Sequence, residues 1–170
     1  TTASEAEKCS LDFPLILKPN SEGSSIGING DNVVRDRRAF LNKFREMQDR
    51  YSQPILAEAF IAGREFSVGL LGLPGGGVEV FPLLEVDFSQ MPSSVGNVFG
   101  QVAKTQYDDL AHYLCPAIIE PALEQALRES SLKAWHALEI RDFARMDFRV
   151  GSDSVPRFLE VNPLPGLDYD

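Results

Sequence analysis

The stretch Arg145-Met146-Asp147-Phe148-Arg149-Val150-Gly151-Ser152-Asp153-Ser154-Val155-Pro156-Arg157-Phe158-Leu159-Glu160-Val161-Asn162-Pro163-Leu164-Pro165-Gly166 decides the fold. Phe143 to Val150 and Val155 to Val161 are rich in Phe and Val, and Gly151 to Ser154 are turn residues, so a β-hairpin is predicted. Side chains alternate along a strand, which puts Arg145, Asp147 and Arg149 on one face of the first strand and Phe158, Glu160 and Asn162 on one face of the second. If pairing brings those faces together, Asp147, Glu160 and Asn162 form an oxygen-rich cluster beside Arg145. Two carboxylates and an amide oxygen suit Mg2+, which takes few protein oxygens and completes its shell with water and phosphate. The competing reading makes Asp147 and Glu160 solvated charges of an edge strand, paired with Arg145 and Arg157. The run from Asn162 to Gly166 favours a site, because two prolines and a glycine fix a rigid loop at the strand end.

Composition sets the bounds. At 170 residues, 44% hydrophobic and 24% charged, the chain can bury one ordinary core or two small lobes. A net charge of -9 disfavours nucleic acid or an anionic membrane as main partner, since neither is drawn to a negative surface. Cys9 and Cys115 stand far apart, with no Cys-x-x-Cys and no histidine at zinc spacing, and a reducing, cytoplasmic setting is expected. No apolar run reaches the length of a membrane span, and the polar start Thr1 to Lys8 lacks a signal peptide's hydrophobic segment. The chain has no initiator Met and stops just after the site-like loop, so a fragment of a longer protein is expected.

Taken in order, residues 1–12 read as a loose lead-in and Phe13 to Lys18 as a buried strand. Pro19 to Gly27 form a loop of small polar residues. Phe40, Phe44, Met47 and Tyr51 recur at steps of four, three and four, the stripe of an amphipathic helix over Arg37 to Tyr51. Ile55 to Glu58, Glu65 to Leu73 and Val78 to Leu84 read as three strands of an antiparallel meander, turning at Pro74 to Gly77. Residues 85–115 read as irregular, and a connection that long in a compact domain is usually functional. Pro121 suits the first turn of a helix whose buried side is marked by Ile119, Leu123, Leu127, Ala134 and Leu138.

Gly23-Ser24-Ser25-Ile26-Gly27 satisfies the letters of a hydrolase nucleophile elbow, with Ser25 as nucleophile and His112 or His136 downstream. The elbow requires a sharp strand-to-helix turn, and neither neighbour fits, so the hydrolase reading is set aside. No Gly-Lys-Ser/Thr closes the loop as a P-loop would. Two readings stay open: a solvent loop, or a lid whose backbone N–H groups and Ser24 and Ser25 hydroxyls wrap phosphate oxygens, with Lys18 adding charge from the strand end.

The pattern resembles the ATP-grasp superfamily, and most closely the D-alanine:D-alanine ligases. The resemblance rests on L-I-L-K-P-N-S-E-G-S-S-I-G at 15–27, I-L-A-E-A-F-I-A-G-R-E-F-S-V-G at 55–69, Y-L-C-P-A at 113–117, and R-M-D-F-R-V with F-L-E-V-N-P-L-P-G at the end. It implies an α+β ATP-grasp fold, two small lobes with antiparallel sheets sandwiching ATP: 13–62 as the smaller lobe with the lid, 63–170 as the larger catalytic lobe. The amino-terminal substrate domain would be absent, leaving the isolated fragment inactive. Lys18 would hold phosphates under the Ser24–Ser25 lid, and Glu58, Ala59, Phe60 and Ile61 would read adenine through backbone groups. Glu65 would bind the ribose, Ile16 and Leu159 would wall the base, and Lys104 would touch the terminal phosphate. Asp147, Glu160 and Asn162 would carry two Mg2+ ions, or Mn2+ in their place, while Arg145 and the Gly166 N–H would face the oxyanion. The implied reaction joins two amino acids through an acyl phosphate, a step of peptidoglycan biosynthesis, with small-molecule substrates and room for a homodimeric full-length protein. Thr105 stands where the family commonly has Tyr, which leaves the acceptor open. Alternatives are a ligase of another amino acid or small carboxylate, or a non-catalytic nucleotide-binding module.

Overall fold

The computed structural model describes residues 3–23, 25–92, 98, 100 and 110–166. They divide into two compact units, one drawn from 1–60 and 88–111 and the other from 61–87 and 112–170.

The first unit opens with a short helix, α1 (Ala3–Glu7), where the sequence suggests a loose lead-in. Its reason for forming is Ala6, fully buried in the same core as the strands that follow. β1 (Leu15–Pro19) runs antiparallel between β2 (Val33–Val34) and β3 (Ile55–Ala59). The helix α2 (Arg37–Tyr51) has the expected bounds, and Phe40, Phe44 and Met47 bury against Leu15, Leu17 and Ile55. Alternation along β1 therefore sends Ile16 and Lys18 to the face away from α2.

Asp36 caps α2, its carboxylate accepting the Ala39 N–H at 2.8 Å. Asp36→Ala leaves that N–H without its partner and is expected to cost about 1 kcal/mol, read as a lower urea midpoint by circular dichroism.

The Gly/Ser loop folds as successive turns. Ser25 and Gly27 both take positive φ, the Ile28 N–H donates to the Ser25 carbonyl at 3.0 Å, and a 3-10 turn (Gly30–Asn32) leads into β2. Ser25 is thus followed by turn and strand, without the helix a nucleophile elbow needs. Asn32, 2% exposed, donates to the carbonyls of Leu17 at 2.8 Å and Gly27 at 2.7 Å, tying the loop's end to β1.

In the second unit the central strand is β4 (Arg64–Gly72). One edge of β4 pairs with β5 (Val78–Val80) and β6 (Leu84–Asp87), and β6 carries β7 (His112–Leu114). The other edge pairs with β8 (Phe143–Val150), which carries β9 (Pro156–Asn162), and every pairing is antiparallel. Three expectations are corrected here. The meander does not include Ile55 to Glu58, because β3 pairs with β1 in the other unit. The single strand expected over Val78 to Leu84 is two, β5 and the start of β6. The span 85–115, expected as irregular, contains most of β6 and all of β7.

Alternation gives this sheet two different faces. Phe66, Val68 and Leu70 of β4 and Ala144, Met146, Phe148 and Val150 of β8 point one way. They form a core with Leu123, Leu127 and Trp135 of helix α3 (Pro121–Ala137). The buried stripe of α3 is Leu123, Leu127, Ser131 and Trp135. Leu138, expected on it, lies past the helix end and is 52% exposed. Glu65 and Ser67 of β4 and Arg145, Asp147 and Arg149 of β8 fall on the opposite face, and that face holds the candidate site.

Candidate functional site

The predicted hairpin forms, and its register decides which groups meet. Asp147 lies opposite Glu160 and Arg145 opposite Asn162, with a bulge between Asp147 and Phe148. The extra residue of the bulge changes the expected facing. Phe158 falls opposite Phe148 and packs on it edge to face at 5.7 Å, so it does not share the face of Glu160 and Asn162.

Asp147 is 8% exposed and is the hub of the cluster. Arg145 donates to both its oxygens, Nε to Oδ1 at 3.0 Å and Nη2 to Oδ2 at 2.9 Å. Ser67 Oγ of β4 donates to Oδ1 at 2.7 Å, and Asn162 Nδ2 donates to Oδ2 at 3.1 Å and to Glu160 Oε1 at 3.5 Å. The guanidinium pKa of Arg145 is raised, first by the hydrogen bond to Asp147, with added attraction from Asp147, Glu160 and Glu65. The competing reading paired these acids with Arg145 and Arg157; Arg157 instead grips Asp153 in the turn, Nη1 to Oδ1 at 2.8 Å and Nη2 to Oδ2 at 2.6 Å. That contact and the Val155 N–H hold the exposed Asp153 at a pKa of about 2.

A cation is a chemical fit here. The Asn162 amide lies between two carboxylates, and a half-turn about its last torsion presents oxygen where nitrogen now sits. Two carboxylates and an amide then offer the short all-oxygen donor set that Mg2+ takes from a protein, leaving other positions to water and phosphate. Among the described residues no group of three or more His, Cys, Asp or Glu gathers as a metal site; this cluster has two carboxylates, with Asn162 as its third donor.

Further along the same face, Glu65 of β4 lies opposite Arg149 of β8, and Arg149 Nη1 donates to Glu65 Oε2 at 2.7 Å. Arg149 Nε also donates to the Ile61 carbonyl at 3.1 Å. Leu159 lies at the bulge, 41% exposed, and Gly166 is exposed near the end of the described residues.

The remaining expected residues belong to the first unit or lie outside the described residues. Lys18 Nζ is 2.6 Å from Glu58 Oε2, and Ile16 is the cross-strand neighbour of Glu58. The backbone of Ala59 pairs with Leu15, and the Phe60 N–H donates to the Pro14 carbonyl at 2.9 Å. Ser25 is half-buried within its turn. Ser24, Lys104 and Thr105 lie outside the described residues. Two participants carry no role in the sequence reading: Ser67, and Arg149, which alternation places on the face of Asp147. Each stands two residues from a named acid in a strand, Glu65 and Asp147 respectively, and that spacing was the available signal.

Residues 1–169 match the family described as D-ala D-ala ligase C-terminus. The chain belongs to that family. Among its relatives within the D-ala D-ala ligase C-terminus family, the D-alanine--D-alanine ligase of Desulfotalea psychrophila is 32% identical over 157 residues, which is 92% of this chain and 46% of the relative. The chain therefore spans about half the length of the curated relatives it matches. The VanG D-Ala:D-Ser ligase of Enterococcus faecalis has a similar structure, with a TM-score of 0.69 at 24% identity over 96% of this chain and 43% of that one. The D-alanine--D-alanine ligase of Bacillus anthracis, solved with ATP, gives 0.66 at 23% identity over 99% and 46%. The fold is α+β of the ATP-grasp type. Among the described residues no helix is long and apolar enough to cross a membrane.

Proposed function

We propose that the chain is the nucleotide-binding, catalytic portion of an ATP-dependent ligase that joins two amino acids, D-alanine being the first candidate for both, in the cytoplasm and in the service of peptidoglycan synthesis. The observation that carries the reading is the convergence of Asp147, Glu160, Asn162 and Arg145 on one sheet face in a chain of this family.

In this reading the donor carboxylate attacks the γ-phosphorus of ATP, releasing ADP and forming an acyl phosphate. The acceptor amine then attacks the acyl carbon, losing a proton as phosphate departs. Asp147, Glu160 and Asn162 would hold Mg2+, which when bound would neutralise charge on the phosphates. Arg145, anchored on Asp147, keeps a fixed positive charge at the edge of the cluster, where negative charge grows in both transition states, and the Gly166 N–H adds a donor. Glu65 accepts from the ribose hydroxyls, and Glu58 to Ile61 read adenine, with Ile16 and Leu159 against the base. Lys18, Lys104 and the Ser24–Ser25 loop contact phosphates.

The family's fold serves ligases named for different acceptors, D-alanine in one solved neighbour and D-serine in another, so the fold by itself leaves the acceptor open. The test is phosphate release by the native protein that contains this chain, with Mg-ATP and a panel of D- and L-amino acids. D-alanine is expected to stimulate release. Stimulation only by another amino acid would keep the ligase and discard the substrate, and no stimulation by any amine would leave a nucleotide-binding module.

A further inference from the structure

Arg149 is a cation in the interior of a strand, with its side chain only 7% exposed. Taking a guanidinium out of water is costly unless its donors are met in good geometry. Here the fork is spread over three acceptors on one neighbouring segment: Ile61 O from Nε at 3.1 Å, Glu65 Oε2 from Nη1 at 2.7 Å, and Gly63 O from Nη2 at 3.4 Å. That segment has no slack. A Cβ on Gly63 would collide with the Val150 carbonyl oxygen, so the backbone at Gly63 lies hard against the end of β8. Cross-strand pairing of Glu65 with Arg149 fixes the other end.

A glutamate on a sheet face has three side-chain torsions to settle before its carboxylate can accept two hydroxyls at once, and ordering them on binding weakens affinity. An arginine fork removes that cost beforehand, because it is planar and always charged, whereas lysine offers one point charge that cannot span the three acceptors. A carboxylate also has about four lone-pair positions, so one contact from Arg149 does not exhaust Glu65 as an acceptor.

We propose that Arg149 is a positioning residue for nucleoside recognition: its guanidinium locks the Glu65 carboxylate and the 61–63 backbone into one rigid ledge that receives the ribose hydroxyls. The proposal rests on the reading of Glu65 as the ribose ligand, and it adds a residue and a mode of action to that reading.

The test compares Mg-ATP with Mg-2′,3′-dideoxyATP by isothermal titration on the 170-residue chain, for the native sequence, Arg149→Met, Arg149→Lys and Glu65→Gln. The native chain is expected to favour ATP by roughly tenfold or more, the worth of hydrogen bonds to a charged acceptor. Arg149→Met is expected to lose most of that ratio, with a smaller loss for the dideoxy nucleotide because the Ile61 carbonyl that it also holds borders the adenine segment. Arg149→Lys is expected to recover part of the ratio. Equal losses for both nucleotides in Arg149→Met would reduce Arg149 to a structural clamp and overturn the proposal, and so would an undiminished ratio. If Arg149→Met fails to fold, Arg149→Lys decides, since a full native ratio there overturns the proposal too. A native chain that does not distinguish the two nucleotides would instead remove the ribose role of Glu65, a different failure that takes the proposal with it.

Discussion

Glu160→Gln is expected to lower Mg2+-dependent turnover of the native protein that carries this chain by about two orders of magnitude or more, with the fold unchanged. The change keeps size and hydrogen-bonding shape and removes one negative charge, which is what a hard cation needs from this position. Glu160 is the cleaner probe of the two acids. It is exposed, and Asn162 approaches its carboxylate only at 3.5 Å. The amide relieves repulsion from the cross-strand neighbour Asp147 and gives up attraction to Arg145, two opposed effects, so the thermal midpoint should hold. Asp147→Asn would confound the two effects, since Arg145, Ser67 and Asn162 all donate to that carboxylate. The paired measurement is Mn2+ binding to the 170-residue chain with ATP present, followed by electron paramagnetic resonance. Weak binding in Glu160→Gln at an unchanged melting temperature supports the metal role. Native affinity and native turnover would take Glu160 out of the site.

How much of this was legible in the sequence depends on which force sets each element. The hairpin, its turn and the α2 stripe were readable because period-two and period-3.6 patterns are local, and burial on one side then fixes the facing. The meeting of Asp147 with Glu160 followed from alternation on two strands joined by a short turn. The facing of Phe158 did not, because a bulge inserts a residue without altering the letters on either side. The sheet to which β3 belongs is not legible locally, for a different reason. Pairing of β3 with β1, some forty residues away, is settled by tertiary packing, and no local pattern around Ile55 distinguishes it from pairing with β4. Short edge strands such as β7, with three exposed residues, carry no periodic signal at all. The face of Arg149 was legible by alternation, but its burial was not, because the guanidinium is covered by contacts with 61–65, more than eighty residues away in sequence.

Phe148→Ala is expected to cost the second unit about 3–5 kcal/mol. The ring is fully buried between β4 and β9, opposite Phe66 and edge-on to Phe158, and it belongs to the cluster closed by Leu127 and Trp135 of α3. Both of its flanking strands are held in register by ladders on either side, so the sheet cannot collapse into the space left, and the cavity term adds to the lost transfer energy. Against a whole-domain stability of about 5–15 kcal/mol this is a large fraction, and the midpoint should fall by more than about 10 °C for a unit of this size. Trp135 is the single tryptophan of the chain and sits in the same cluster, so its fluorescence follows this unit's unfolding without a signal from the other. A loss under about 1 kcal/mol would mean that the ring is not the core residue its burial indicates. The substitution also bears on the site, because Asp147 and Arg149 are its immediate neighbours in β8 and project from the opposite face of the same strand. Loosening β8 should therefore weaken Mn2+ binding and ribose discrimination together, whereas Glu160→Gln should remove the first and leave stability intact. That difference separates a group that holds the metal from one that holds the strand.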